Sequence, residues 1–286
     1  MAHASIFLAS PEIRSTLIPQ SVLVIGRTTL SRSINAFIKS SPITYVVDQR
    51  LATVDTDRQA DRKFTELPDL QGVIQSDEWI AKWAKVSERA QKLIASLDGW
   101  NEAVIARTIA AALPNETALF VSSSRPIRDL EGFAAPRTGI DVYANRGLAG
   151  IDGNISTALG IAYAHKATIA VLGDLSFLHD LTGLINKEAI NCRFIVINND
   201  GGGIFSTLPQ RGVNGFETVF GTPHGLNPSA IAQSMGVNAK QVTTVQELEA
   251  EIKAPISGIS VVVCDVPNRE SNADNLKAIY NSLSSI

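Results

Sequence analysis

Six short apolar runs recur along the chain, and the way they alternate with helical patterns limits the fold. They occupy residues 22–25, 44–47, 118–121, 169–172, 194–197 and 259–264. Each is continuous rather than alternating apolar with polar, which predicts strands covered on both faces. Between them, helical periodicity predicts helices over 31–38, 79–96, 101–112, 153–165, 177–190, 228–235, 245–252 and 274–283. Strands that alternate with helices predict an α/β chain of parallel sheets flanked by helices and joined by right-handed crossovers.

A break is expected between residues 75 and 100. Residues 77–97 read as one long helix with a polar face, and Asp98-Gly99 ends it. The expected division is a partial α/β domain with its linker helix over 1–98 and a full α/β domain over 99–286. The 286 residues are 45% hydrophobic, enough for a real core, and 19% charged, too few for a disordered chain or a coiled coil. The net charge of −3 does not suggest a nucleic-acid or anionic-membrane partner. Every apolar run falls far short of the ~18 residues that span a bilayer. The segment from Met1 to Ser10 has no basic stretch of the signal-peptide kind. A cytoplasmic protein without membrane or nucleic-acid partners is expected. Cys192 and Cys264 cannot build a disulfide framework and read as core residues.

Two of the apolar runs lead straight into polar, glycine-bearing clusters. The run at 169–172 enters Gly173-Asp174-Leu175-Ser176, and the run at 194–197 enters Asn198-Asn199-Asp200-Gly201-Gly202-Gly203. Both clusters therefore fall at the carboxyl ends of parallel strands, the edge where open α/β sheets bind ligands. Taken singly, the first is an ordinary helix cap and the second a surface loop. Taken together they suit a hard cation and a phosphate. Magnesium takes about six oxygens, commonly one or two carboxylates with carbonyls, water and substrate phosphates. Asp174 offers a carboxylate, Asn199 an amide oxygen and Gly201 a main-chain carbonyl. The helix start after Gly173 offers N–H groups to a diphosphate.

Gly173-Asp174 followed by a helix, a strand and Asn198-Asn199 resembles the motif of thiamine-diphosphate-dependent enzymes. Residues 145–153 (Asn-Arg-Gly-Leu-Ala-Gly-Ile-Asp-Gly), 173–180, 198–206 and the stretch Ser124-Arg125-Pro126-Ile127-Arg128-Asp129 resemble one branch of them, the 2-succinyl-5-enolpyruvyl-6-hydroxy-3-cyclohexene-1-carboxylate synthases of menaquinone biosynthesis. The resemblance is good over residues 100–286 and looser over 20–95. It implies a thiamine-diphosphate-binding fold and a transferase that decarboxylates 2-oxoglutarate and adds the succinyl unit to isochorismate. It implies Mg²⁺ or Mn²⁺ on Asp174, Asn199 and the Gly201 carbonyl. Leu175 and Ser176 would give main-chain donors to the diphosphate. Ile151 would bend the cofactor, and Ile204 and Phe205 would line the site. Ser124, Arg128 and Arg146 would grip substrate carboxylates, and Arg32 would face the second substrate.

Arginine spacing supports part of this independently. Arg125, Arg128, Arg137 and Arg146 lie close together in an otherwise acidic chain, and arginine pairs bidentately with carboxylates. Arg128 and Arg146 are expected to face substrate, Arg125 and Arg137 to lie on the surface. The four histidines are scattered and read as structural, and Trp79 and Trp83 read as packing residues on one helix face.

The family's first domain carries a glutamate that protonates the cofactor's aminopyrimidine, and no stretch here resembles that domain. The expectation is that a separate polypeptide supplies that domain or that the sequence is a fragment, the C-terminal part of such a synthase, acting in a homo-oligomer such as a homodimer or in a complex with a pyrimidine-domain chain. Two alternatives stay open: a different thiamine-diphosphate enzyme, acetolactate-synthase-like or 2-oxoacid-decarboxylase-like, and a truncated chain without catalysis.

Overall fold

All six apolar runs form strands, and among the described residues three further strands lie at sheet edges. A computed structural model describes residues 2–28, 30–50, 60–71, 76–145, 149–186 and 188–284. The chain divides into two compact units, one of Met1–Ser96 with Ala278–Ile286 and the other of Leu97–Lys277.

The first unit runs α1 (Ala4–Phe7), α2 (Pro11–Thr16), β1 (Ser21–Ile25), α3 (Arg32–Ser40), β2 (Ile43–Val47), β3 (Arg62–Phe64) and α4 (Asp77–Ser96). Its three strands are parallel in the order β1-β2-β3. Serine caps set the helix starts: Ser10 accepts from the Ile13 N–H before α2, and Ser31 from the Ile34 N–H before α3. Trp79 and Trp83 share one face of α4 with ring centroids 5.6 Å apart. Trp83 meets Phe7 and Phe37 edge-on, so these rings pack as expected.

The second unit runs α5 (Glu102–Ala112), β4 (Thr117–Val121), α6 (Arg125–Phe133), β5 (Ile140–Tyr143), α7 (Asn154–Ala162), β6 (Thr168–Gly173), α8 (Asp174–Leu178), β7 (Cys192–Asn198), α9 (Pro228–Ser234), β8 (Asn238–Val242), α10 (Val245–Lys253), β9 (Ile259–Asp265) and α11 (Arg269–Ser284), the last crossing into the first unit. Its six strands are parallel in the order β5-β4-β6-β7-β9-β8. From β4 the chain adds β5 on one side, then returns to place β6 on the other. The strand order therefore reverses between β4 and β6, and the crevice outside the carboxyl ends at such a point is where open sheets bind ligands. The register sets Gly173 opposite Ile197, so Asp174 and Asn199 leave neighbouring strand ends.

The core explains the central strands. Phe120, Leu172, Phe194, Val196 and Val263 are sealed together with Ile155 and Phe177 from the covering helices. Cys192 and Cys264 are free thiols in the same buried strands, and burial pushes the Cys192 thiol up to about 12. Both are core residues, as read from the sequence.

The predicted helix over 177–190 is not one helix. Helix α8 ends at Leu178, and a single 3₁₀ turn, Leu181–Leu184, follows. The Asp180 carboxylate accepts from the Ser156 N–H at 2.7 Å and its hydroxyl at 3.2 Å, which ties the chain to α7 and draws it off the helical path. Among the described residues no helix is long and apolar enough to cross a membrane.

Candidate active site at the ends of β6 and β7

The two clusters meet. Asp174, 2% exposed, starts α8 and points its carboxylate across to the β7 end. Its Oδ2 accepts from the Gly201 N–H at 2.8 Å, and its Oδ1 from the Leu175 N–H at 2.7 Å. Gly201 can make this approach because it is glycine: its φ is +130°, and a Cβ would overlap the Gly221 carbonyl oxygen. The Leu175 N–H expected to face a diphosphate is turned onto Asp174 here.

A histidine completes the carboxylate's environment. The His224 Nδ1 accepts from the Leu226 N–H at 3.0 Å, so the ring proton sits on Nε2, which donates to Asp174 Oδ2 at 3.2 Å. The loop carrying His224 is held by Asp200, whose Oδ1 accepts from the His224 and Gly225 N–H groups. The sequence reading missed His224 as a site residue: 50 positions separate it from Asp174, and no local spacing signals the contact. Burial raises the Asp174 carboxyl above the usual range, opposed by the donors from Gly201, Leu175 and His224.

Asn199 is 7% exposed. Its Nδ2 donates to Glu102 Oε1 at 2.6 Å, while its Oδ1 is buried without a partner among the described residues. Glu102 Oε2 faces Arg125 Nε at 3.4 Å, and Arg125 also pairs with Asp129. Arg125 is therefore not a surface residue; its side chain is 11% exposed between two acids. Burial, reinforced by the Glu102 charge, pushes Asp129 up to about 7 against the pull of Arg125 and Arg128. Arg137 is likewise engaged, donating to the Ala110 and Leu113 carbonyls at the end of α5 and to Asn115.

The remaining expected residues fall as follows. Ser124 precedes α6 at φ +75° without a side-chain capping bond, and Arg128 donates to the Ser124 carbonyl at 2.7 Å, so these two are together. Ile151 is half-buried in the turn before α7, a turn held by Asn154 Nδ2 on the Gly150 and Asp152 carbonyls. Ile204 and Phe205 lie half-buried in a 3₁₀ turn after the glycines, and Phe205 packs on Phe220 at 5.4 Å. Ser176 is buried in α8. Arg146 lies outside the described residues. Arg32 belongs to the first unit, exposed at the start of α3.

Among the described residues no three His, Cys, Asp or Glu side chains gather into a metal cage. What comes together instead is the Asp174 carboxylate on the Gly201 N–H, with the Asn199 amide two residues earlier on the same strand end, while the Gly201 carbonyl accepts from the Gly203 N–H at 3.0 Å. That oxygen set is the kind a hard cation takes. Among the described residues Asp174 Oδ1 holds one donor and Asn199 Oδ1 none, so both have lone pairs to give. The residues present fit a magnesium–diphosphate group.

The family comparisons agree with this fold. Residues 1–121 match the model described as the middle domain of thiamine pyrophosphate enzymes, and residues 128–266 match the thiamine pyrophosphate enzyme C-terminal TPP-binding domain. The chain is a member of the thiamine pyrophosphate enzyme family and carries its middle and C-terminal domains.

Within that family, three similar proteins carry one name. It is 38% identical over 253 residues to the 2-succinyl-5-enolpyruvyl-6-hydroxy-3-cyclohexene-1-carboxylate synthase of Thermobifida fusca, covering 84% of this chain and 46% of the relative. The synthases of the same name from Bacillus cytotoxicus and Staphylococcus aureus are 32% and 31% identical, over 93% and 92% of this chain and 49% of each relative. The chain thus spans about half the length of the curated relatives it matches.

Proposed function

We propose that this chain forms the diphosphate-anchoring half of a thiamine-diphosphate-dependent synthase that decarboxylates 2-oxoglutarate and transfers the succinyl unit to isochorismate. The pyrimidine-binding half would come from a region outside this sequence. The observation that carries the reading is the meeting of Asp174 with the Gly201 N–H, next to a buried Asn199 Oδ1 that has no partner among the described residues.

Asp174, Asn199 and the Gly201 carbonyl would hold Mg²⁺ or Mn²⁺, and Ser176 at the start of α8 would face the diphosphate, joined by Leu175 once its N–H leaves Asp174 Oδ1. When bound, thiamine diphosphate supplies an electron sink for loss of carbon dioxide from a 2-oxo acid. The chain's own contribution is to bind, orient and exclude water. Ile151, Ile204 and Phe205 would shape an apolar wall that keeps water from the reacting centre. Arg128 and Arg146 would hold the substrate carboxylates, with Ser124 as a further donor.

The four stretches shared with the synthase branch, two of them arginine-bearing, favour a dicarboxylic donor over pyruvate. The test is donor specificity of the complete enzyme, measured as carbon dioxide released with isochorismate present. Turnover with 2-oxoglutarate and little with pyruvate is expected. Preference for pyruvate would move the chain to an acetolactate-synthase-like or decarboxylase-like reading.

A further inference from the structure

An asparagine amide shows an acceptor on one side and a donor on the other, so its orientation decides whether it can hold a cation at all. At Asn199 that orientation is fixed by one partner. The Nδ2 lies 2.6 Å from Glu102 Oε1, across 97 positions of sequence. A carboxylate only accepts, and the other oxygen of this one is turned to Arg125. Glu102 thus has only lone pairs to offer the amide, which must present nitrogen to it and oxygen away from it. The oxygen so presented is buried and finds no partner among the described residues.

Glu102 has an ordinary structural explanation, since an acid in the first turn of α5 favours the helix. That role is already filled: Asn101 caps α5 by accepting from the Val104 N–H at 3.1 Å. The Glu102 side chain, 6% exposed, turns away to Asn199 and Arg125 instead. Arg125 in turn pairs with Asp129 on α6, the helix that carries Ser124 and Arg128.

We propose that Glu102 is a positioning residue of the metal site: its hydrogen bond to Nδ2 holds the Asn199 amide with Oδ1 free for the cofactor's cation, and Arg125 couples that ligand to helix α6. This rests on the reading of the site given above. Partners of a metal ligand typically change metal affinity about 10–100-fold when altered. In Glu102→Gln the new amide can donate, so Asn199 is free to turn its oxygen inward.

The test is Mn²⁺ titration followed by electron paramagnetic resonance, on the full chain with saturating thiamine diphosphate, with thermal unfolding recorded in parallel. Glu102→Gln should weaken Mn²⁺ by roughly tenfold or more while the unfolding midpoint changes little. Adding Asn199→Asp should restore binding, because a carboxylate presents acceptors on both sides and needs no orienting partner. The double variant conserves charge and overall composition, so it also serves if the single variant does not fold. Equal Mn²⁺ affinity in parent and Glu102→Gln would overturn the proposal while leaving the site reading intact. A folded double variant that binds no better than the single would also overturn it. A parent that takes up no Mn²⁺ would overturn the site reading, and the proposal with it.

Discussion

The two sheets of this chain are built from the same strand–helix alternation, yet they bury different things. In the three-stranded sheet, β1 is half-buried or exposed along its length, and the buried polar residues of that unit are His3, Ser10, Ser31 and Ser87. In the six-stranded sheet, β6 and β7 are buried almost throughout, and the buried polar residues of that unit include Glu102, Asp129, Asp174, Arg193 and Asn199. Width makes the difference. A central strand needs neighbours on both sides and helices on both faces before its carboxyl end is dry enough to raise a carboxyl, as at Asp174. A charged group pays a desolvation cost there, and paired donors or a bound cation repay it.

The sharpest way to break this contrast is at Asp174. Asp174→Ala removes the carboxylate ligand, and calorimetric titration with thiamine diphosphate and Mg²⁺ should show cofactor affinity falling beyond the roughly 10–100-fold seen for outer partners. Circular dichroism should show the fold retained. Unchanged affinity would move the cation elsewhere.

Next in size is the core. Phe194, fully buried in β7, should cost about 3–5 kcal/mol on replacement by alanine. Phe37, 9% exposed beside Trp83 in the first unit, should cost less by the same substitution. Urea denaturation of the two variants measures both, and equal losses would remove the difference between the sheets.

The smallest effect is a slope with pH. Asp129 titrates near 7 in the folded chain, because of burial first and the Glu102 charge second, and near roughly 4 when unfolded. Between those values the folded form keeps a proton that the unfolded form has lost. Stability from this group is therefore full below the window and is lost as pH rises through it. Asp129→Asn should flatten that part of the pH profile of the urea midpoint. An identical slope in the variant would assign the pH dependence to other groups.

Sequence made the centre of the wide sheet legible and its margins obscure. Strands β4, β6, β7 and β9 read clearly because burial on both faces demands continuous apolar runs. Strands β3, β5 and β8 are edges with mostly exposed residues, so no such run marks them. Helix α6 was hidden by its start, where Ser124 adopts positive φ in place of an ordinary cap. Asp174, Asn199 and Gly201 were legible because strand ends are where a ligand-binding sheet keeps its chemistry. Glu102 and His224 were not, since they reach the site from 97 and 50 residues away. Arg125 was misplaced for the same reason. Its neighbour Asp129 was visible in the sequence, but the second acid, Glu102, comes from another helix.

The most direct test is a crystal structure of the full chain grown with Mg²⁺ and thiamine diphosphate. Expected is one metal ion with the Asp174 carboxylate, Asn199 Oδ1 and the Gly201 carbonyl at about 2.0–2.1 Å, and Asn199 Nδ2 still on Glu102. A diphosphate bound with its metal away from Asp174, or with the Asn199 oxygen turned from it, would contradict the assignment.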